Sequence, residues 1–119
     1  MTTTPRRLAA GLLARMDDDL GVSAFDVTVC GDEVPANKPD PAPYRHAMDA
    51  LGVDPAACVA IEDSRAGVTS ALAAGAAVLG VPSVQTLLPA PGLVVRESLA
   101  GLGLADLTQV LARRDSVPA

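Results

Sequence analysis

Val59-Ala60-Ile61-Glu62-Asp63-Ser64-Arg65-Ala66-Gly67 is an apolar, strand-like run that stops abruptly at two carboxylates and a hydroxyl. In open α/β sheets, ligands sit beyond the carboxyl ends of the parallel strands, so an acidic pair there is a candidate cation site. The same residues also suit a capped helix start, with Asp63 or Ser64 accepting backbone N–H bonds and Glu62 in solvent. From these residues alone the two readings carry equal weight.

The neighbouring segments continue a βαβ pattern. Upstream, Asp40-Pro41 is a suitable N-cap and first helical position, and Tyr44, Ala47, Met48 and Leu51 mark one helical face ending at Gly52. Downstream, Ser64 can cap a helix lined by Val68, Ala71, Leu72 and Gly75, and Ala76 to Val81 reads as another strand. Nearer the start, Leu8, Leu12, Leu13 and Met16 predict a helix from Pro5 to about Met16, and Phe25 to Cys30 reads as a short strand before the proline-rich loop 33–39. Residues 82–103 are rich in Pro, Gly and Leu without clear periodicity, and Leu104, Leu107, Val110 and Leu111 suggest a final helix. Helices alternating with strands over short connections predict an α/β fold with a parallel sheet.

At 119 residues and 12.0 kDa, one domain is expected. Half the residues are hydrophobic and mean hydropathy is +0.33, but only 2% are aromatic, so the core must be built from Ala, Val and Leu. A net charge of −5 argues against a nucleic-acid partner, and the Arg6-Arg7 and Arg113-Arg114 pairs are read as solvated charges. No apolar stretch is long enough to span a bilayer, since the one from Ala71 to Val84 is broken by Gly75, Gly80, Pro82 and Ser83. Cys30 and Cys58 adjoin apolar runs without metal-ligand spacing and read as buried, reduced thiols of a cytoplasmic protein.

Lys38, in Asn37-Lys38-Pro39-Asp40-Pro41, is the only lysine; eight arginines supply every other positive side chain. Its compact ammonium can meet a phosphoryl oxygen and a carboxylate together, although a solvent lysine on a turn is the simpler reading of that residue alone. Thr2, Thr3 and Thr4 precede a helix, where hydroxyls and free N–H groups can bind phosphate or simply cap. Asp17-Asp18-Asp19 follows a helix rather than a buried strand and reads as a solvated acidic loop, and His46, off the apolar face, as a surface histidine.

Taken together, Lys38-Pro39-Asp40-Pro41, the spacer Leu51-Gly52-Val53-Asp54-Pro55 and Ile61-Glu62-Asp63-Ser64-Arg65-Ala66-Gly67, running on to Ala74-Gly75, resemble the haloacid dehalogenase (HAD) superfamily of hydrolases. Its β-phosphoglucomutase-like phosphatase branch is the nearest in motif. The resemblance spans Thr2 to about Val81. It implies that Lys38 steadies an aspartate nucleophile and the transferred phosphoryl group, that Asp63 binds Mg²⁺ with Glu62 as a second or water-mediated ligand, and that Thr2 and Thr3 contact the phosphoryl oxygens. Its implied reaction is Mg²⁺-dependent hydrolysis of a small phosphorylated metabolite, or a phosphomutase reaction, through an aspartyl-phosphate.

The departures from the family are equally specific. No buried strand leads into Asp-x-Asp-Gly, the motif that supplies nucleophile and general acid/base, and no cap insertion is present. Ala42 stands where many relatives carry Asp. Mapped on the family sheet order 3-2-1-4-5, residues 25–30, 58–62 and 76–80 become strands 3, 4 and 5, with the two central strands missing. The expectation is a partial HAD-like Rossmannoid fold: a single incomplete core domain over 1–119, with core elements in 2–81 and a loop and helix in 82–114. The sheet would carry a gap with exposed edges, the chain would be marginally stable or rearranged, and it would be inactive alone. A non-catalytic phosphate- or Mg²⁺-binding module, or a fragment complementing another chain, is the alternative.

Overall fold

The computed structural model describes residues 1–113. Its elements, in chain order, are α1 (Arg6–Leu20), α2 (Ala42–Leu51), a 3-10 turn (Pro55–Ala57), β1 (Val59–Glu62), α3 (Arg65–Ala73), β2 (Ala77–Gly80), β3 (Leu93–Val95) and α4 (Leu104–Arg113). The α/β class and the parallel sheet follow the sequence reading. Strand order is β1-β2-β3, all parallel, with Val59 opposite Ala77 and Val78 opposite Leu93.

Strand alternation sorts the core into two layers. Val78 and Ala60 face α2 and α3, packing with Tyr44, Met48, Val68, Ala71 and Ala74. Ala77 and Leu79 face the other way, against Val110, Leu107 and Leu111 of α4. With helices on both sides, β2 is buried at every residue, which explains its uninterrupted apolar run. At the start of α3, the Ser64 hydroxyl accepts from the Gly67 N–H at 3.1 Å, the cap expected from the sequence.

Four details correct the sequence reading. Phe25 to Cys30 does not join the sheet: Thr2 N–H donates to Val29 O and Gly31 N–H to Thr4 O, so this stretch pairs with the N-terminal segment instead. The third strand of the sheet is instead Leu93–Val95, which the sequence reading left without structure and which pairs on the far side of β2; the outer edge of β1, where the gap was expected, carries no ladder partner among the described residues. Helix α1 continues through the three aspartates to Leu20, with Arg15 and Asp19 paired at 3.1 Å across one turn. Asp40 accepts from the Ala42 N–H at 2.8 Å, and α2 begins at Ala42 rather than Pro41. Residue 114, the expected end of the C-terminal region, lies outside the described residues.

The N-terminal part is fastened by polar contacts. The Arg6 guanidinium donates to both carboxylate oxygens of Glu33 (2.7 and 3.2 Å) and to the hydroxyl and carbonyl of Thr28 (2.8 and 3.0 Å). Glu33 also accepts from the Cys30 N–H at 2.8 Å. Gly31 has no side chain where the Thr3 carbonyl crosses it, and any Cβ there would overlap that backbone. Among the described residues, no helix is long and apolar enough to cross a membrane.

Candidate functional site

Glu62 is the last residue of β1 and keeps the orientation of Ala60, so its side chain turns toward α2 and α3 rather than into solvent. It is only 7% exposed. A carboxylate buried this deeply needs donors, and two converge on its Oε1: the Lys38 ammonium at 2.6 Å and the Tyr44 hydroxyl at 2.5 Å. The Lys38 Nζ also lies 5.6 Å from the Tyr44 ring centroid. Burial first, then the Glu62 carboxylate, pushes the Tyr44 phenol far above its ordinary value, so it acts here as a donor only.

Gly67 makes room for this arrangement. Its missing side chain is filled by the Glu62 carboxylate, and an added Cβ would overlap Oε2. The Ser64 cap holds Gly67 in that place, so the spacing from Glu62 to Gly67 joins the strand end to the first turn of α3. On the other side, the Lys38-Pro39 peptide is cis and lies in a turn closed by the Asp40 N–H to the Asn37 carbonyl. The buried Ser70 hydroxyl donates to the Asp40 carbonyl at 2.6 Å and fastens the loop to α3.

Asp63 differs from its neighbour. It is exposed, and none of the described groups donates to its carboxylate. Lys38, Tyr44, Glu62 and Asp63 line one cleft of about 500 Å³ along the outer edge of β1, together with Met1. The Met1 ammonium is held below its ordinary value, by burial first and then by Lys38. Asp63 is the exposed hard-oxygen donor here and fits Mg²⁺, which takes one or two carboxylates and completes its shell with water and substrate, whereas Glu62 has Oε1 committed to Lys38 and Tyr44 and Oε2 seated against Gly67. Among the described residues, no three His, Cys, Asp or Glu side chains gather into a metal cluster.

Lys38, Glu62 and Asp63 thus line one cleft. Thr2 and Thr3 are exposed, one and two residues beyond Met1, and form no hydrogen bond with Lys38, Glu62 or Asp63. The first N–H of α1, at Arg6, is taken by the Asp32 carboxylate at 2.9 Å, and the Thr2 hydroxyl accepts from the Thr4 N–H at 3.2 Å. The anion expected at that helix start would therefore meet an occupied N–H and a neighbouring carboxylate. Sequence reasoning placed Tyr44 among core side chains and missed its hydroxyl, although a tyrosine on an apolar face signals a polar partner nearby.

The chain is similar to known proteins over part of its length. The chain is 46% identical over 85 residues to protein CbbY of Rhodobacter capsulatus, covering 71% of this chain and 37% of that protein. It is 45% identical over 76 residues to the plasmid phosphoglycolate phosphatase of Cupriavidus necator, covering 63% and 31%. The crystal structure of a CbbY variant from Rhodobacter sphaeroides in complex with xylulose-(1,5)bisphosphate superposes with a TM-score of 0.63 at 38% identity, over 74% of this chain and 42% of that one. The chain spans about a third of the length of these curated relatives. Residues 1–75, which hold Lys38, Tyr44, Glu62, Asp63 and Gly67, match the family described as haloacid dehalogenase-like hydrolase, and the chain belongs to that family.

Proposed function

We propose that this chain carries the lysine and acidic-metal half of a phosphatase centre acting on a small phosphorylated metabolite, in a cytoplasmic enzyme. The observation that carries the reading is the Lys38–Glu62 pair at the carboxyl end of β1 with Asp63 beside it, all lining the one cleft along the outer edge of that strand. The printed names of relatives, a phosphoglycolate phosphatase and a CbbY bound to a sugar bisphosphate, support that substrate class.

In this reading Lys38 uses one proton on Glu62 and has two left for the phosphoryl oxygens and the attacking carboxylate. Asp63 would hold Mg²⁺, with Glu62, committed to Lys38 and Tyr44, as its water-mediated partner; bound there, the cation would supply positive charge against the transferring phosphoryl group. The Thr2 and Thr3 hydroxyls donate to phosphoryl oxygens once substrate is seated. An Asp-x-Asp-Gly segment outside residues 1–119 supplies both reacting groups in this reading. An oxygen of the first aspartate bonds to phosphorus as the phosphorus–ester oxygen bond breaks, and the second aspartate gives its proton to the leaving oxygen. A water that returns a proton to that second aspartate then breaks the aspartyl-phosphate, releasing phosphate and the first carboxylate.

Two measurements test this. The purified chain should bind Mg²⁺ through Asp63, with affinity falling on Asp63→Asn, and should not turn over a generic phosphomonoester. Turnover should appear on mixing with a polypeptide that supplies a strand ending in Asp-x-Asp-Gly, and Lys38→Ala should abolish it. Hydrolysis by the chain alone, lost in Lys38→Ala, would refute the half-site reading. Mg²⁺ or phosphate binding with no turnover under any complementation would favour a binding module.

A further inference from the structure

We infer that Tyr44 is a positioning residue for the Lys38–Glu62 pair, its hydroxyl fixing Glu62 Oε1 from below while its ring lies against the Lys38 ammonium. Three observations meet at this residue. The ring is buried among Met48, Ala60, Val68 and Ala71, so it cannot turn away. The hydroxyl and the ammonium share one carboxylate oxygen, at 2.5 and 2.6 Å, and no buried side-chain polar atom is left without a partner among the described residues. The ammonium, with only 17% of its side chain exposed, is held by the carboxylate and flanked by the ring.

A lysine on a loop has four rotatable bonds and a strongly hydrated head, and a single ion pair leaves it several geometries. The Glu62 carboxylate, seated in the space left by Gly67 and bonded by Tyr44, presents one fixed oxygen to Lys38. Helix α2 thereby sets where the charge at the end of β1 stands. The catalytic meaning of this positioning rests on the proposed phosphatase reading, but the geometry it asserts does not.

Composition makes the test clean, because the chain has one lysine, one tyrosine and no tryptophan. In ¹⁵N-lysine-labelled protein the single side-chain ammonium resonance reports Lys38. Tyr44→Phe keeps the ring and removes the hydroxyl; proton exchange at that ammonium should accelerate on the order of tenfold, the scale of one lost hydrogen bond to a charged group. Met48→Leu, in the same core cluster, should alter thermal stability without altering that rate. An unchanged exchange rate in Tyr44→Phe would overturn the inference, as would an equal acceleration in Met48→Leu. In the complemented enzyme, turnover retained alongside an unchanged exchange rate would sink the role of Tyr44 and leave the phosphatase reading standing.

Discussion

Around β2 the chain closes on itself, with Ala77, Val78 and Leu79 fully buried between α3 on one side and α4 on the other, while α1 and residues 25–30 leave Leu8, Leu12 and Phe25 in solvent. The first region is held by apolar burial on both faces of a strand. The second is held by a polar clamp, Arg6 to Glu33 and Thr28, and by two backbone bonds from the Thr2–Thr4 segment. Similar hydrophobic patterning has different consequences in the two places, because an apolar stripe contributes stability only where something covers it. The candidate site lies at the seam. Glu62 ends the buried region, and the Lys38 loop follows the clamped one.

Leu79→Ala should have the largest effect. Leu79 has no exposed surface and packs in the layer under α4. Truncation there should cost about 2–5 kcal/mol through lost burial and a residual cavity, a large part of the stability of a chain this size. The check is thermal or urea unfolding. A loss below about 1 kcal/mol would mean that the β2 layer is not the stability centre.

An acid titration sharpens the contrast from the other side. The Arg6 hydrogen bond first, and then the Cys30 N–H, hold the Glu33 carboxyl below its ordinary value. With the folded value depressed, the clamp is fully effective above the unfolded glutamate value of about 4.3 and weakens as pH falls through the lower folded value. Lowering pH through that window should release the Cys30 amide, which donates to Glu33, before the Leu79 amide within the sheet. Hydrogen exchange corrected for intrinsic rates would report both. In Arg6→Ala the pH dependence at Cys30 should largely disappear. Simultaneous release of both amides in the wild type would mean that the two regions form one cooperative unit.

The same contrast explains what could be read in the sequence. Residues 77–80 were legible because a strand buried on both faces needs an uninterrupted apolar run, and residues 59–67 because the acidic pair and the Ser64 cap mark where β1 ends and α3 begins. Phe25 to Cys30 has strand composition but no strand in the sheet, because strand identity depends on the neighbour that completes the ladder. Leu93–Val95 was missed for the opposite reason: three residues behind Pro89, Pro91 and Gly92 show no period, and β2 alone makes them a strand. At the site, Lys38, Glu62 and Asp63 could be assigned to one centre by motif, whereas neither the direct Lys38–Glu62 pair nor the part of Tyr44 could be read there. Its helical position marks it as core, and only the register of α2 against β1 brings its hydroxyl to the carboxylate.

Leu12→Ala should have the smallest effect, and it makes the comparison quantitative because the chemical change is identical to that at Leu79. Leu12 is 66% exposed and lines an apolar hollow of about 200 Å³ with Leu8, Phe25 and Val27. Most of its surface is already in water, so truncation removes little burial and creates no enclosed cavity, and alanine is the better helix former at a surface position. Unfolding should shift by no more than about 0.5 kcal/mol in either direction. A loss approaching that of Leu79→Ala would show that the α1 face is covered in solution. Sedimentation of the two variants would then decide the source: a second copy on that face makes the stability of the unmodified chain depend on protein concentration and that of Leu12→Ala independent of it.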